Sequence, residues 1–178
     1  MKKLITIFLL TNFLYGCSSV SIEDYSNFEP EFILEDYFQG RTLASGLFMD
    51  RFGKVQRQFV VTIDGTWDGT TLILNEDFLY DDGEVENRVW VLTKTDEFTY
   101  QGTTENAVGL ATGKRNGNAF NWQYAFNLKV GEDYWQVKFN DWMFLQPDGT
   151  LLNIAVVSRW GLNLGTVYLS FSKVNDAA

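Results

Sequence analysis

The chain of 178 residues has no histidine, one cysteine and two prolines, and its 23 acidic side chains outnumber 14 basic ones. Each shortage removes a kind of chemistry. Without imidazole there is no Ser-His-Asp triad, and zinc sites built on His and Cys are excluded; a single thiol also leaves no internal disulfide. Phosphate binding needs a basic face, and with a net charge of −9 nucleic acid is not an expected partner. The apolar run from Leu4 to Leu14, interrupted only by Thr and Asn, has the length of a signal-peptide core and is too short to span a bilayer as a helix.

That run follows Lys2 and Lys3 and leads into Leu14-Tyr15-Gly16-Cys17. The arrangement resembles the bacterial lipoprotein signal, with a leucine three residues before the cysteine and a small residue directly before it. The resemblance implies a signal peptide over residues 1–16, cleavage between Gly16 and Cys17, and a diacylglyceryl group on the Cys17 sulfur. Acyl chains of the palmitate kind contribute roughly 0.8 kcal/mol per buried methylene, so two or three of them form a stable anchor. Ser18 in place of Asp after the cysteine implies release to the outer membrane, with the body facing the periplasm. An ordinary secretory signal with a stray cysteine is the alternative. Loss of Lys2 and Lys3 leaves 12 basic side chains against 23 acidic ones, a net charge of −11. Residues 17–28, including the polar "SSVSIEDYSNF", read as lipidated cysteine and tether. Residues 29–178 read as one domain, long enough for a sizeable core.

The body reads as all-β. Turn signals recur at Asp50-Arg51-Phe52-Gly53, Asp64-Gly65, Asp82-Gly83, Asn116-Gly117, Gly131-Glu132 and Pro147-Asp148-Gly149. Between them lie runs rich in Val, Ile, Thr and aromatic residues, which predict about ten strands near 41–49, 54–64, 66–79, 84–94, 97–104, 107–114, 118–129, 134–146, 150–160 and 164–174. Short connections imply an antiparallel meander. Only "PEFILEDYF", residues 30–38, suggests a short helix, with Pro30 in its first turn. Ten antiparallel strands satisfy their edges best by closing into a lipocalin-like barrel. A two-sheet β-sandwich is the alternative.

Strand parity identifies candidate site residues. "FNWQYAFNLKV" places Phe120, Trp122, Tyr124, Phe126 and Leu128 on one face. These rings either fill a core or line a cavity for an apolar ligand. Charges also fall on apolar faces. Arg57 shares parity with Phe59 and Val61, Glu76 with Leu74 and Phe78, and Arg88 with Trp90 and Leu92. Asp141 shares parity with Phe139 and Met143, although Trp142 then faces outward, which a bulge at that point would explain. A buried unpaired charge is strongly unfavourable, so these four should form an ion-pair network, reach water at strand ends, or meet a polar ligand group. In the last case Arg57 or Arg88 would receive the head group of an amphiphile.

The pieces "DYFQG", "GLFMDRFGKVQRQFVV", "GTWDGTTLILNEDFLYDDG", "NRVW", "GLATGKRNGNAFNWQY", "VKFNDWMFLQPDGTLLN" and "GTVYLSF" occur in this order across residues 36–174. In them the chain resembles a family of proteobacterial lipoproteins known as a domain of unknown function, numbered 3833. The resemblance implies a lipid-anchored periplasmic β-domain and brings no activity or catalytic residue with it. Three functions remain open: a barrel binding a lipid or other hydrophobic molecule, an assembly partner of another envelope protein with a packed core, or an enzyme working through carboxylates such as Glu76 or Asp141. No catalytic spacing is present, and neither cofactor nor metal is expected. Replacing Cys17 with Ser should abolish acyl labelling and leave unprocessed or soluble protein; continued labelling would overturn the lipoprotein assignment.

Overall fold

The computed structural model describes residues 20–174. The expected signal peptide and Cys17 lie outside these residues. The described chain opens with a single 3-10 turn, Ile22–Tyr25, and a short helix α1, Leu34–Phe38. Ten strands follow: β1 (Gly40–Asp50), β2 (Val55–Trp67), β3 (Thr71–Tyr80), β4 (Val85–Lys94), β5 (Thr99–Thr103), β6 (Ala111–Asn116), β7 (Ala119–Val130), β8 (Asp133–Leu145), β9 (Leu151–Arg159) and β10 (Leu162–Lys173). Each pairs antiparallel with the next, and β10 returns to pair with β1 from Lys173↔Thr42 to Gly165↔Asp50. The sheet is therefore a closed barrel, and the sandwich alternative falls. Closure gives every strand two neighbours, although β4 meets β5 only through residues 91–94.

The alternation of the sequence is realised inside the wall. On β7, Phe120, Trp122 and Phe126 are buried inward while Gln123 and Asn127 are exposed. One expected turn is not a turn. Asp64-Gly65 lies within β2, and the reversal comes at Asp68-Gly69, where the Asp68 carboxylate accepts from the N–H groups of Thr70 and Thr71. Glycine at 65 serves close approach instead: a Cβ there would lie 1.9 Å from the Phe38 carbonyl oxygen.

That contact marks how the barrel is stoppered. Residues preceding β1 cross the end formed by the last residues of β2, β4, β6, β8 and β10. The Phe32 N–H donates to the Gly117 carbonyl at 2.8 Å, which holds this stretch extended against the β6–β7 turn. For that reason the helix starts at Leu34 and leaves Pro30 outside it, where the sequence placed it in the first turn. Phe32 meets Phe120 edge-on with centroids 6.3 Å apart, and Phe38 meets Phe171 at 5.7 Å, the geometry that aromatic quadrupoles favour. The carboxylate of Glu35, buried beneath α1, accepts from Lys94 Nζ at 2.6 Å and from the Tyr100 hydroxyl at 2.7 Å, tying the stopper to β4 and β5.

Two other expectations are corrected together. Residues 22–28 are not a free tether: Ile22 is buried, and the Tyr25 ring packs on Trp142 and Phe144 at centroid distances of 5.5 and 5.1 Å. Trp142 faces outward because this N-terminal segment covers it. No bulge is needed, and β8 keeps its register with both neighbours through Asp141, Trp142 and Met143.

Gly65→Ala forces the added methyl into the Phe38 carbonyl. Overpacking of this kind costs roughly 1–3 kcal/mol, which for a domain of this size corresponds to a loss of about 2–12 °C in Tm. Thermal unfolding followed by circular dichroism checks this, and an unchanged Tm would mean that α1 does not seat on β2 as described.

Candidate ligand cavity

The stopper does not fill the barrel. Above Leu34 and Phe38 lies a cavity of about 540 Å³ that opens toward the other end. Its wall is mostly aromatic, with Trp90, Trp122 and Tyr124 on one side and Phe59, Phe78 and Phe139 among the rings elsewhere. Trp90 meets Trp122 and Tyr124 edge-on at 5.8 and 5.1 Å, and Tyr124 stacks on Phe139 at 4.7 Å. These contacts hold the rings against the wall and keep the space open. The volume lies within the roughly 300–1,000 Å³ typical of small-molecule sites.

A polar cluster interrupts this wall. Strand β4 turns Glu86 and Arg88 inward, β3 supplies Glu76, β8 supplies Asp141, and Tyr124 comes from β7. Arg88 donates to Glu86 at 2.7 Å, and its guanidinium lies 4.8 Å from the ring centres of both Phe78 and Phe126. The Tyr80 hydroxyl donates to the other Glu86 oxygen at 2.8 Å. Asp141 accepts a short hydrogen bond from the side-chain amide of Asn153. The Glu76 carboxylate touches the cavity space, so it keeps accessible surface, yet that surface faces an apolar enclosure and not bulk water. Among the described residues it has no hydrogen-bond donor.

These surroundings displace protonation equilibria. Burial raises Glu76 to about 7, with Arg88 pulling the other way and Asp141 and Glu86 adding to the rise. Burial likewise raises Asp141 to about 7 against the stabilising bond from Asn153. Tyr124 is pushed well above its ordinary value by burial and by the nearby Asp141 charge, so it stays a proton donor. Burial opposes the charge on Arg88, but Glu76 and Glu86 outweigh it and hold the guanidinium above its usual value. The mutual effects of Glu76, Arg88, Tyr124 and Asp141 place them in one electrostatic unit.

Sequence parity thus brought Glu76, Arg88, Trp90, Trp122, Tyr124 and Asp141 to one cavity. Phe126 is buried beside the Arg88 guanidinium and braces it from behind. Arg57 stands apart. It sits at the mouth, where it bonds Asp82 at 2.9 Å and Glu84 at 2.6 Å and lies 3.5 Å over the Tyr80 ring. Parity reasoning missed Glu86 and Asn153. Glu86 shares parity with Arg88 and Trp90, and Asn153 with Leu151, Ala155 and Val157, so both were visible in the alternation. Around the mouth, hairpin tips present Phe52 and Trp160 at 80% and 85% exposure, with Arg51 and Arg159 lying over the respective rings.

A closed antiparallel meander with one stoppered end and an interior cavity is a lipocalin-like barrel. The chain belongs to the family described as "Protein of unknown function (DUF3833)", whose model matches residues 11–173. The structure of the S-type phycobiliprotein lyase CPES from Guillardia theta is similar, with a TM-score of 0.58 over 89% of this chain and 94% of that one. Sequence identity is 9%, so the likeness is one of fold. No curated protein matches the chain.

The raised carboxyls make stability depend on pH with a definite sign. Unfolded, Glu76 and Asp141 release their protons near pH 4; folded, they hold them to about 7. Across that interval the folded chain binds more protons, so stability falls as pH rises from 4 to 7 and levels off above. Asp141→Asn keeps the acceptor for Asn153 and removes the charge. It should add on the order of 4 kcal/mol at pH 8 and only about 1–2 kcal/mol at pH 5, as read by denaturant unfolding at both pH values. Equal effects at the two would remove Asp141 from the buried cluster.

Proposed function

We propose that this protein binds an apolar small molecule inside its barrel and is held at the bacterial outer membrane by acyl chains on Cys17, with the barrel in the periplasm. The observation that carries the binding reading is the aromatic-walled cavity of about 540 Å³ with a polar cluster in its wall. Interiors without a ligand are close-packed, and a hole of this size would forgo a large amount of dispersion and hydrophobic contact. An assembly partner with a fully packed core would not have this interior.

The anchor reading rests on the sequence, and the fold gives it a direction. The chain is held from Ile22 onward at the stoppered end. An anchor at Cys17 would then hang on the four residues 18–21, which reach about 14 Å when extended. The barrel is about twice that long, since eleven residues at about 3.3 Å each, tilted by about 40°, rise roughly 28 Å. The mouth, with Phe52 and Trp160, would open away from the anchoring leaflet and toward the periplasm.

A second reading has one supporting feature. Two carboxyls with pKa values of about 7 beside the Tyr124 hydroxyl could exchange protons with a bound molecule, as an acid-base enzyme requires. Binding comes first in either case. Titration with the fluorescent apolar probe N-phenyl-1-naphthylamine should give saturable binding, and Ala155→Phe, which adds a ring to the cavity wall, should weaken it at least about tenfold while leaving the circular dichroism spectrum unchanged. Equal binding by the filled variant would mean that the probe sits elsewhere and would count against the cavity as the site.

A further inference from the structure

The charges inside the barrel do not balance. Glu76, Glu86 and Asp141 project inward, and Arg88 is the one guanidinium among them. Arg57 and Lys129 line the cavity toward its mouth, where Arg57 pairs through Nη2 with Asp82 and Glu84 and keeps a buried, unpartnered Nε. Arg88 bonds Glu86 through Nη2 at 2.7 Å while its Nε is buried without a partner, and Glu86 is completed by the Tyr80 hydroxyl. What remains facing the cavity is rich in acceptors: both oxygens of Glu76, which have no hydrogen-bond donor among the described residues, and the Asp141 oxygen that Asn153 leaves free. The surrounding rings of Trp90, Trp122 and Tyr124 add quadrupoles whose faces attract positive charge.

We propose that the cavity selects an apolar molecule whose polar end is a hydrogen-bond-donating nitrogen, such as a protonated amine, over one that ends in a carboxylate or phosphate. This rests on the reading of the cavity as a ligand site and reverses the polarity expected if an arginine were the head-group receptor. A donor nitrogen placed between Glu76 and Asp141 supplies the bonds those oxygens lack, and a positive one favours their ionised forms. An anionic group in the same place meets two carboxyls, and the charge of the one guanidinium beside them is already paired with Glu86. The ordinary desolvation of a buried charge thus becomes selective, because the site rejects one sign by leaving it unpaired.

Three probes of equal chain length separate the possibilities: dodecylamine, 1-dodecanol and laurate, each displacing N-phenyl-1-naphthylamine from the intact domain at pH 7.5. Dodecylamine should displace the probe at a concentration at least about tenfold lower than laurate. Glu76→Gln should shrink that ratio several-fold while dodecanol, which carries no charge, changes by less than about twofold. Asp141→Asn, which keeps its acceptor oxygen for Asn153, provides the same comparison if the Glu76 variant does not fold. Laurate binding as well as or better than dodecylamine would overturn this inference alone, and so would an unchanged ratio in both variants. Failure of the naphthylamine probe and all three chains to bind would overturn the ligand-cavity reading and this inference with it.

Discussion

The pairing of β10 with β1 is the constraint on which the rest of the molecule depends. Left open, the meander would present two unsatisfied edges, and its aromatic face would need a second sheet to cover it. Closed, the same residues face one another across an enclosed interior. Closure also removes Glu76 and Asp141 from water, and this burial is the main cause of their displaced protonation. A lesion in this one ladder would therefore alter the wall, the cavity and the cluster together.

The stopper decides how much of that interior is core. Phe32, Leu34 and Phe38 pack the lower half into a continuous hydrophobic cluster with Phe120, Leu151 and Phe171. The upper half has a smaller buried cluster around Phe126, Val137 and Val157, and the cavity occupies the space between the walls. The two halves do different work. The lower one supplies apolar burial and the Glu35–Lys94–Tyr100 bonds, whereas the upper one holds carboxyls that destabilise the fold when ionised. Polar groups retained in an apolar wall at the expense of stability are a common mark of a site under functional constraint.

Most of the wall was legible in the sequence because a strand with one buried face records its orientation in every second residue. The alternation in residues 119–130 gave both the strand and its inward set, and the same rule put Arg88 beside Trp90 and Glu76 beside Phe78. What parity could not reveal was contact between elements distant in the chain. Asp64-Gly65 resembled a turn, but glycine there answers to the Phe38 carbonyl 27 residues earlier. Trp142 resembled an irregularity, but its outward face is covered by Tyr25. The segment around Tyr25 looked like a tether because its few apolar residues are spent on the outside of a barrel that does not yet exist when the sequence is read locally. Parity placed Arg57 inward, while its commitment to Asp82 and Glu84 depends on the β3–β4 turn and became visible only in three dimensions.

The most direct measurement is native mass spectrometry of residues 18–178, exported to the periplasm and purified without detergent, followed by organic extraction. A reproducible bound molecule of defined mass, displaced when Ala155 is replaced by Phe, is the expected result and would identify the ligand. A clean mass for the bare chain, unchanged after incubation with an extract of periplasm and membranes, would contradict a ligand-binding barrel and leave the cavity without its occupant.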